Sequence, residues 1–239
     1  MTGRALPTSA ALVTVAALVV SCGATGTRSA DPHPATSSAP RSSPPSPLGS
    51  PQVLDAVRTA LPRAMPSDGR PRLARLSIPA LGLHRLRVVP YRGRTDDAPG
   101  TRIQDRGLAA SPYGLRGGVG PGGLGNYQIT AHRTSSTHPF QMLPELRIGR
   151  RVVVESGGVR YVFEIRRTRQ TSFRSPRSLA EQRAAVPGRP GVAPTRAFLT
   201  LSTCATPEDH ARGNYWADEL ENPEHRIDKI GVLVRTVAL

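Results

Sequence analysis

The chain has 239 residues, of which 38% are hydrophobic and only 4% aromatic, so any core is built from aliphatic side chains and the length allows one ordinary domain beyond an N-terminal region. A formal charge of +15 comes almost wholly from arginine, because Lys229 is the sole lysine. The arginines are scattered and lack the aromatic interleaving of single-strand binders, which argues against a nucleic-acid partner. Such a balance suits anionic surroundings, either a membrane surface or a phosphate-rich wall polymer, or else a simple arginine-rich solvated face.

Arg4 precedes an apolar run from Ala10 to Val20, too short to span a bilayer comfortably and of the length of an export-signal core. It ends in Val19-Val20-Ser21-Cys22, similar to the lipobox of bacterial lipoproteins, in which Cys22 would be the lipidated residue. A signal-anchor helix with an incidental Cys22 is the other reading. Residues 1–23 are therefore expected to be a signal peptide with lipobox or a signal anchor. Either places the rest of the chain at the outer face of the cytoplasmic membrane. Two acyl chains would tether it more firmly than one.

Residues 24–70 are expected to be a Ser/Pro-rich, disordered linker. Runs such as Ser42-Ser43-Pro44-Pro45 cannot build a core, whereas Gln52 to Leu61 sets Val53, Leu54, Val57 and Leu61 on one helical face before Pro62. From 71 to 239 the texture is that of a mainly β domain with a few short helices. Leu73 to Val89 reads as two strands broken at Pro79-Ala80-Leu81-Gly82. A hairpin runs from Arg151 to Glu155, through Ser156-Gly157-Gly158, to Val159–Ile165, whose alternation is clean. Further strands are expected at Asn126–Ala131, Ala197–Thr203 and Lys229–Val237, with helical stretches at Pro139–Leu146 and Pro176–Ala185. Many short strands with Gly/Pro turns indicate an antiparallel barrel or sandwich.

The glycine-rich stretch from Gly114 to Gly125 matches a dinucleotide fingerprint only by letters. It precedes a strand and carries Pro121, whereas the fingerprint opens a helix. Glu208, Asp209, His210, His225 and Asp228 lack zinc-ligand spacing and read as a polar loop. No cofactor or metal is implied.

Cys204 is different. It closes the apolar string Thr200-Leu201-Ser202-Thr203-Cys204, and the only other cysteine, Cys22, falls in the export segment. A lone thiol at a strand end is a candidate nucleophile, or a buried inert cysteine. His132 ends an equally apolar strand in Thr130-Ala131-His132-Arg133, and Arg226 opens the segment leading into the last strand. On these residues the chain resembles the sortases, the cysteine transpeptidases of bacterial surfaces, over about Arg72 to Leu239. Thr200-Leu201-Ser202-Thr203-Cys204 carries the family's Thr-Leu-x-Thr-Cys signature. Thr130-Ala131-His132-Arg133 is similar to its histidine strand, with alanine in place of the usual glycine. The arginine-rich character leans toward the class E, actinobacterial type. The order His-then-Cys sets the chain apart from papain-like peptidases, and the Ser-His-Gly-Cys string of L,D-transpeptidases is absent.

The resemblance implies a closed eight-stranded β-barrel with Cys204, His132 and Arg226 as catalytic residues. Arg212, in the same long connection, is the rival for the arginine's role. Ser202 and Thr203 would contact substrate, Thr203 by orienting it or donating near the oxyanion. The implied reaction cleaves an LPxTG- or LAxTG-like sorting signal of a secreted protein between Thr and Gly, through a Cys204 thioacyl-enzyme. The protein is then passed to an amine of a peptidoglycan precursor or a pilin. The other function class is a non-catalytic surface lipoprotein that binds a peptide or wall polymer with the same barrel.

Overall fold

Alternation of apolar residues starts the barrel: in β1 (Ala74–Ile78) Ala74, Leu76 and Ile78 face the core while Arg75 points to solvent. The structure, a computed structural model, describes residues 67–239. The export segment with Cys22, the amphipathic stretch Gln52–Leu61 and nearly all of the linker lie outside the described residues. The anticipated break between the first two strands is a single 3-10 turn, Pro79–Leu81, closed by Gly82 in the left-handed region at φ 65°. There the chain reverses into β2 (Leu83–Arg92).

The strand order is β1-β2-β3-β4-β7-β8-β6-β5, closed on itself because β1 also pairs with β5. The remaining strands are β3 (Ala109–Tyr113), β4 (Gly125–Thr130), β5 (Arg151–Ser156), β6 (Val159–Ser172), β7 (Ala197–Cys204) and β8 (His225–Ala238). The expected closed eight-stranded barrel is therefore observed, with one correction: it is not purely antiparallel. β2 runs parallel to β3, and β4 parallel to β7. Each parallel pair needs a crossover, and the chain supplies them with α1 (Ala98–Gln104) and with the long excursion through β5, β6 and α2 (Pro176–Arg183).

The sequence reading did not anticipate α1, β3 or α3 (Thr206–Ala211), and it ended β6 at Ile165 and began β8 at Lys229. Beyond those limits β6 and β8 carry arginines and polar residues, yet they stay paired down to Ser172↔His225. Pairing to each other satisfies their backbone groups, so apolar alternation is not required there. The expected helix at Pro139–Leu146 is only a 3-10 turn, Leu143–Glu145. Pro144 permits that first turn, and Leu143 and Leu146 still reach the core.

Tyr127, Ile129, Phe163, Ile165, Leu199 and Leu201 fill the barrel and are almost wholly buried. Each such aliphatic or aromatic side chain contributes about 1.5–3 kcal/mol by leaving water. β4 and β7 are buried on both faces. Their inner faces meet this core. Their outer faces carry Gln128, which accepts from the Thr95 hydroxyl at 2.8 Å, and Asn126, Thr200 and Ser202 beneath the β6–β7 connection, where the Asn126 side chain donates to the carbonyls of Gln182 (2.9 Å) and Ala184 (3.2 Å).

Candidate active site

The parallel register of β4 and β7 pairs Thr130 with Ser202, and the antiparallel register of β7 and β8 pairs Cys204 with Arg226. Two residues beyond the first pair come His132 and Cys204. The backbone stays tied across this gap: the Ala131 N–H donates to the Ser202 carbonyl at 3.4 Å, and the Arg133 guanidinium donates to the Cys204 carbonyl at 3.3 Å. Three residues distant in sequence are thus carried to one end of three adjacent strands, β4, β7 and β8, where Arg226 touches Cys204 and His132 pairs with Asp105. Alternation along β7 puts Leu199 and Leu201 into the core and leaves Cys204 on the outer face, half-buried.

Arg226 is fully buried, and its guanidinium faces three partners. One terminal nitrogen donates to the Cys204 sulfur, and the other donates to Asn222 Oδ1 at 2.6 Å. Nε lies 3.2 Å from Asp96 Oδ2, an ion pair buried on both sides. The Phe173 ring covers the cation, with its centroid 4.8 Å from Cζ. Burial alone would push the arginine's pKa down, but Asp96 and the Cys204 sulfur outweigh it, and the side chain stays charged. Arg212, the alternative, is exposed at the C-terminal end of α3, where its charge acts on Glu208.

Asp96 is held by its own small framework. It adopts φ 55°, a left-handed conformation that aspartate tolerates better than most residues. Gln104 Nε2 donates to its carboxylate at 3.0 Å, and Asn222 Nδ2 donates to its carbonyl at 3.2 Å. The adjacent Asp97 caps α1 by accepting from the Gly100 N–H. Sequence reasoning missed Asp96. Its signal was the doubled acid in Asp96-Asp97-Ala98-Pro99, where a helix start needs only one.

The Cys204 thiol is pushed up in pKa, first by burial and secondarily by Asp96, while the Arg226 cation pulls it down without cancelling the rise. His132 is largely buried, and its Nε2 lies 2.9 Å from Asp105 Oδ1. The Ser136 hydroxyl donates to the Asp105 carbonyl at 3.0 Å, which joins the loop after the histidine to the end of α1. Asp105 and Asn222 also escaped the sequence reading, since each sits in a connection with no motif around it.

Thr203 and Ser202 are both nearly sealed from solvent. The Thr203 hydroxyl donates to the Ala131 carbonyl at 2.8 Å, one residue before His132. Gln182 Nε2 donates to the Ser202 hydroxyl at 3.2 Å and to Asp228 Oδ1 at 3.0 Å, and the Thr171 hydroxyl donates to the same aspartate at 2.6 Å. Burial pushes the Asp228 carboxyl up in pKa against these hydrogen bonds. The sequence reading placed Ser202 and Thr203 against substrate; in this structure their side chains bind the protein itself. The expected polar loop is not one: Glu208, Asp209 and His210 lie in α3 and His225 and Asp228 in β8, and no group of three His, Cys, Asp or Glu side chains suited to a metal occurs among the described residues. Asp209 and His225 instead pair, Nδ1 to Oδ1 at 2.7 Å, and fasten α3 to the start of β8.

The family model of the sortase domain matches residues 76–217. Among solved structures, the chain is similar to the SrtA sortase from Actinomyces oris, with 19% identity, 76% of this chain and 90% of that one covered, and a TM-score of 0.53. It is also similar to sortase E from Streptomyces avermitilis, at 22% identity, 72% and 93% coverage, and a TM-score of 0.51. The SrtF sortase from Corynebacterium diphtheriae gives 17% identity, 73% and 90% coverage, and a TM-score of 0.50. At such identities the likeness is one of fold. No curated protein matches the chain.

Proposed function

The chain belongs to the sortase family of cysteine transpeptidases, and from that premise we propose that Cys204, His132 and Arg226 carry its reaction. The observation that carries this reading is the contact of the buried Arg226 guanidinium with the Cys204 sulfur, at the strand ends where His132 also arrives. The substrate is a secreted protein with an LPxTG- or LAxTG-like sorting signal, and the enzyme is of the class E type. It works at the outer face of the cytoplasmic membrane, held there through Cys22 or a signal anchor.

The raised thiol pKa makes the resting sulfur a protonated thiol, so a base is required. His132 removes the proton, and the sulfur attacks the Thr–Gly carbonyl carbon. As the C–S bond forms, negative charge moves from sulfur to the carbonyl oxygen. The Arg226 donor that faced the sulfur is already beside the new oxyanion, and a preorganised donor of this kind contributes about 3 kcal/mol to lowering such barriers. Collapse breaks the C–N bond and His132 returns its proton to the departing glycine amine, leaving a thioacyl-enzyme. An amine of a peptidoglycan precursor or a pilin then attacks the thioester, yields its proton to His132 and releases Cys204.

Thr203 serves this chemistry through the Ala131 carbonyl, seating the histidine strand, and Ser202 through Gln182, seating the β6–β7 connection. Incubation with a sorting peptide and mass measurement of the trapped adduct tests the reading. Wild-type enzyme should gain the mass of the N-terminal peptide fragment at Cys204, and Cys204→Ala should gain nothing. Cleavage and transfer by the alanine variant would refute the assignment.

A further inference from the structure

A pocket of about 340 Å³ opens where the β2–α1 and β3–β4 connections meet, lined by Arg92, Arg94, Asp97, Tyr113, Leu115 and Arg116. Arg183, at the end of α2 in the β6–β7 connection, lies in the same field. Its guanidinium pKa is pushed down first by burial and then by Arg94 and Arg116, with Asp96 opposing. Three guanidiniums therefore line the pocket with Arg183 in their field, and none of the four is in an ion pair among the described residues. Arg183 Nε is buried with no hydrogen-bond partner.

Two carboxylates lie nearby, Asp97 in the lining itself and Asp96 beside Arg183, fewer than the four guanidiniums. Asp97 accepts from the Gly100 N–H at 3.1 Å and from the Arg94 N–H at 2.9 Å, and Asp96 is held by Gln104 and Arg226. Like charges gathered in this way repel one another, and an anion from outside the chain offsets the excess that the two carboxylates leave. Guanidinium forks match tetrahedral and planar oxyanions, and several of them around one small volume favour a multiply charged group over a single carboxylate.

We propose that this pocket is a binding site for a phosphate group, held by the lining guanidiniums of Arg92, Arg94 and Arg116. The ligand joins the β2–α1 and β3–β4 connections, with Arg183 of the β6–β7 connection in its field. Gln182, beside Arg183, already reaches Ser202 and Asp228 under that connection, so an anion here would fix the cover of the Cys204 strand. The phosphate has two possible sources, a free phosphate and a lipid headgroup.

Titration calorimetry on the full-length protein, with inorganic phosphate replacing chloride at constant ionic strength, is the primary test. Saturable binding, weakened at least about tenfold by Arg94→Gln/Arg116→Gln, is the expected result. Arg147→Gln/Arg150→Gln, which removes two exposed arginines elsewhere, should bind phosphate as wild type does. Thermal unfolding in chloride, unchanged in both variants, separates lost binding from lost folding. A second arm uses phosphatidylglycerol vesicles: binding there that is sensitive to the Arg94/Arg116 pair alone, without response to inorganic phosphate, assigns the lipid headgroup. No saturable response in either arm, or equal losses in the two double variants, overturns the proposal.

Discussion

Asp96 and Cys204 share a single guanidinium: Arg226 sets Nε 3.2 Å from the carboxylate and a terminal nitrogen on the sulfur, and it is only 1% exposed. The carboxylate and the sulfur compete for one cation, so their charges are coupled through it.

Replacing Asp96 by Asn should therefore lower the Cys204 pKa, because Asp96 is one of the groups that raises it. The pH dependence of alkylation by iodoacetamide reads this directly, and the midpoint should move to lower pH than in wild type. The same change leaves a buried guanidinium without its carboxylate and should cost about 3 kcal/mol of stability, read by urea unfolding. A midpoint that stays in place or rises would show that Asp96 does not act on the sulfur.

The pairing of His132 with Asp105 is half-exposed on the aspartate side, with Asp105 57% accessible. Its worth is therefore about 1 kcal/mol and falls with salt. Asp105→Asn should reduce kcat/KM for a sorting peptide about fivefold at low ionic strength, with most of that difference gone in 1 M NaCl. An equal deficit at both salt concentrations would indicate a packing role instead.

Cys204 also gives stability a pH dependence. Its folded pKa is raised, so the native state keeps a proton that the unfolded chain releases above its ordinary thiol value near ~8.5. The contribution is fully present below that value and is lost as pH rises toward the folded pKa, with a slope of at most about 1.4 kcal/mol per unit. Unfolding free energies of wild type should fall more steeply above pH 8.5 than those of Cys204→Ala. Parallel curves would contradict the raised thiol.

Thr203→Val keeps the shape of the side chain and removes the hydroxyl that donates to the Ala131 carbonyl. A lost buried hydrogen bond costs about 1–2 kcal/mol. Because the bond seats the histidine strand, kcat should drop while KM for the sorting peptide stays near the wild-type value. A rise in KM alone would place Thr203 against the substrate.

Lys229 is the only lysine and is 4% exposed, its ammonium donating to the Pro144 carbonyl at 2.7 Å and to the Thr168 hydroxyl at 3.2 Å. Guanidinium groups stay protonated and do not act as amine nucleophiles at neutral pH. An N-hydroxysuccinimide ester should leave Lys229 unmodified in the folded enzyme, and no self-conjugate through it should form with sorting peptide. Acylation of Lys229 under native conditions would show the end of the barrel to be open.

The amino-acid string by itself determined the strands whose inner residues alternate, and its resemblance to a family offered Cys204, His132 and Arg226 as candidates. Those signals are local: a period of two for a half-buried strand, and a short run of residue types that a thiol chemistry requires. What it left open depends on pairing between distant segments. The parallel β2–β3 and β4–β7 pairs, and the polar ends of β6 and β8, follow from barrel closure, which no local pattern encodes. Asp96, Asp105 and Asn222 belong to the site only because three connections fold over the same strand ends. The placement of Arg226 and Arg212 depends on the same pairing, since the β7–β8 register sets one beside the sulfur and the end of α3 leaves the other in solvent. Burial then turns those contacts into chemistry, because a charge removed from water must find its partner within the protein.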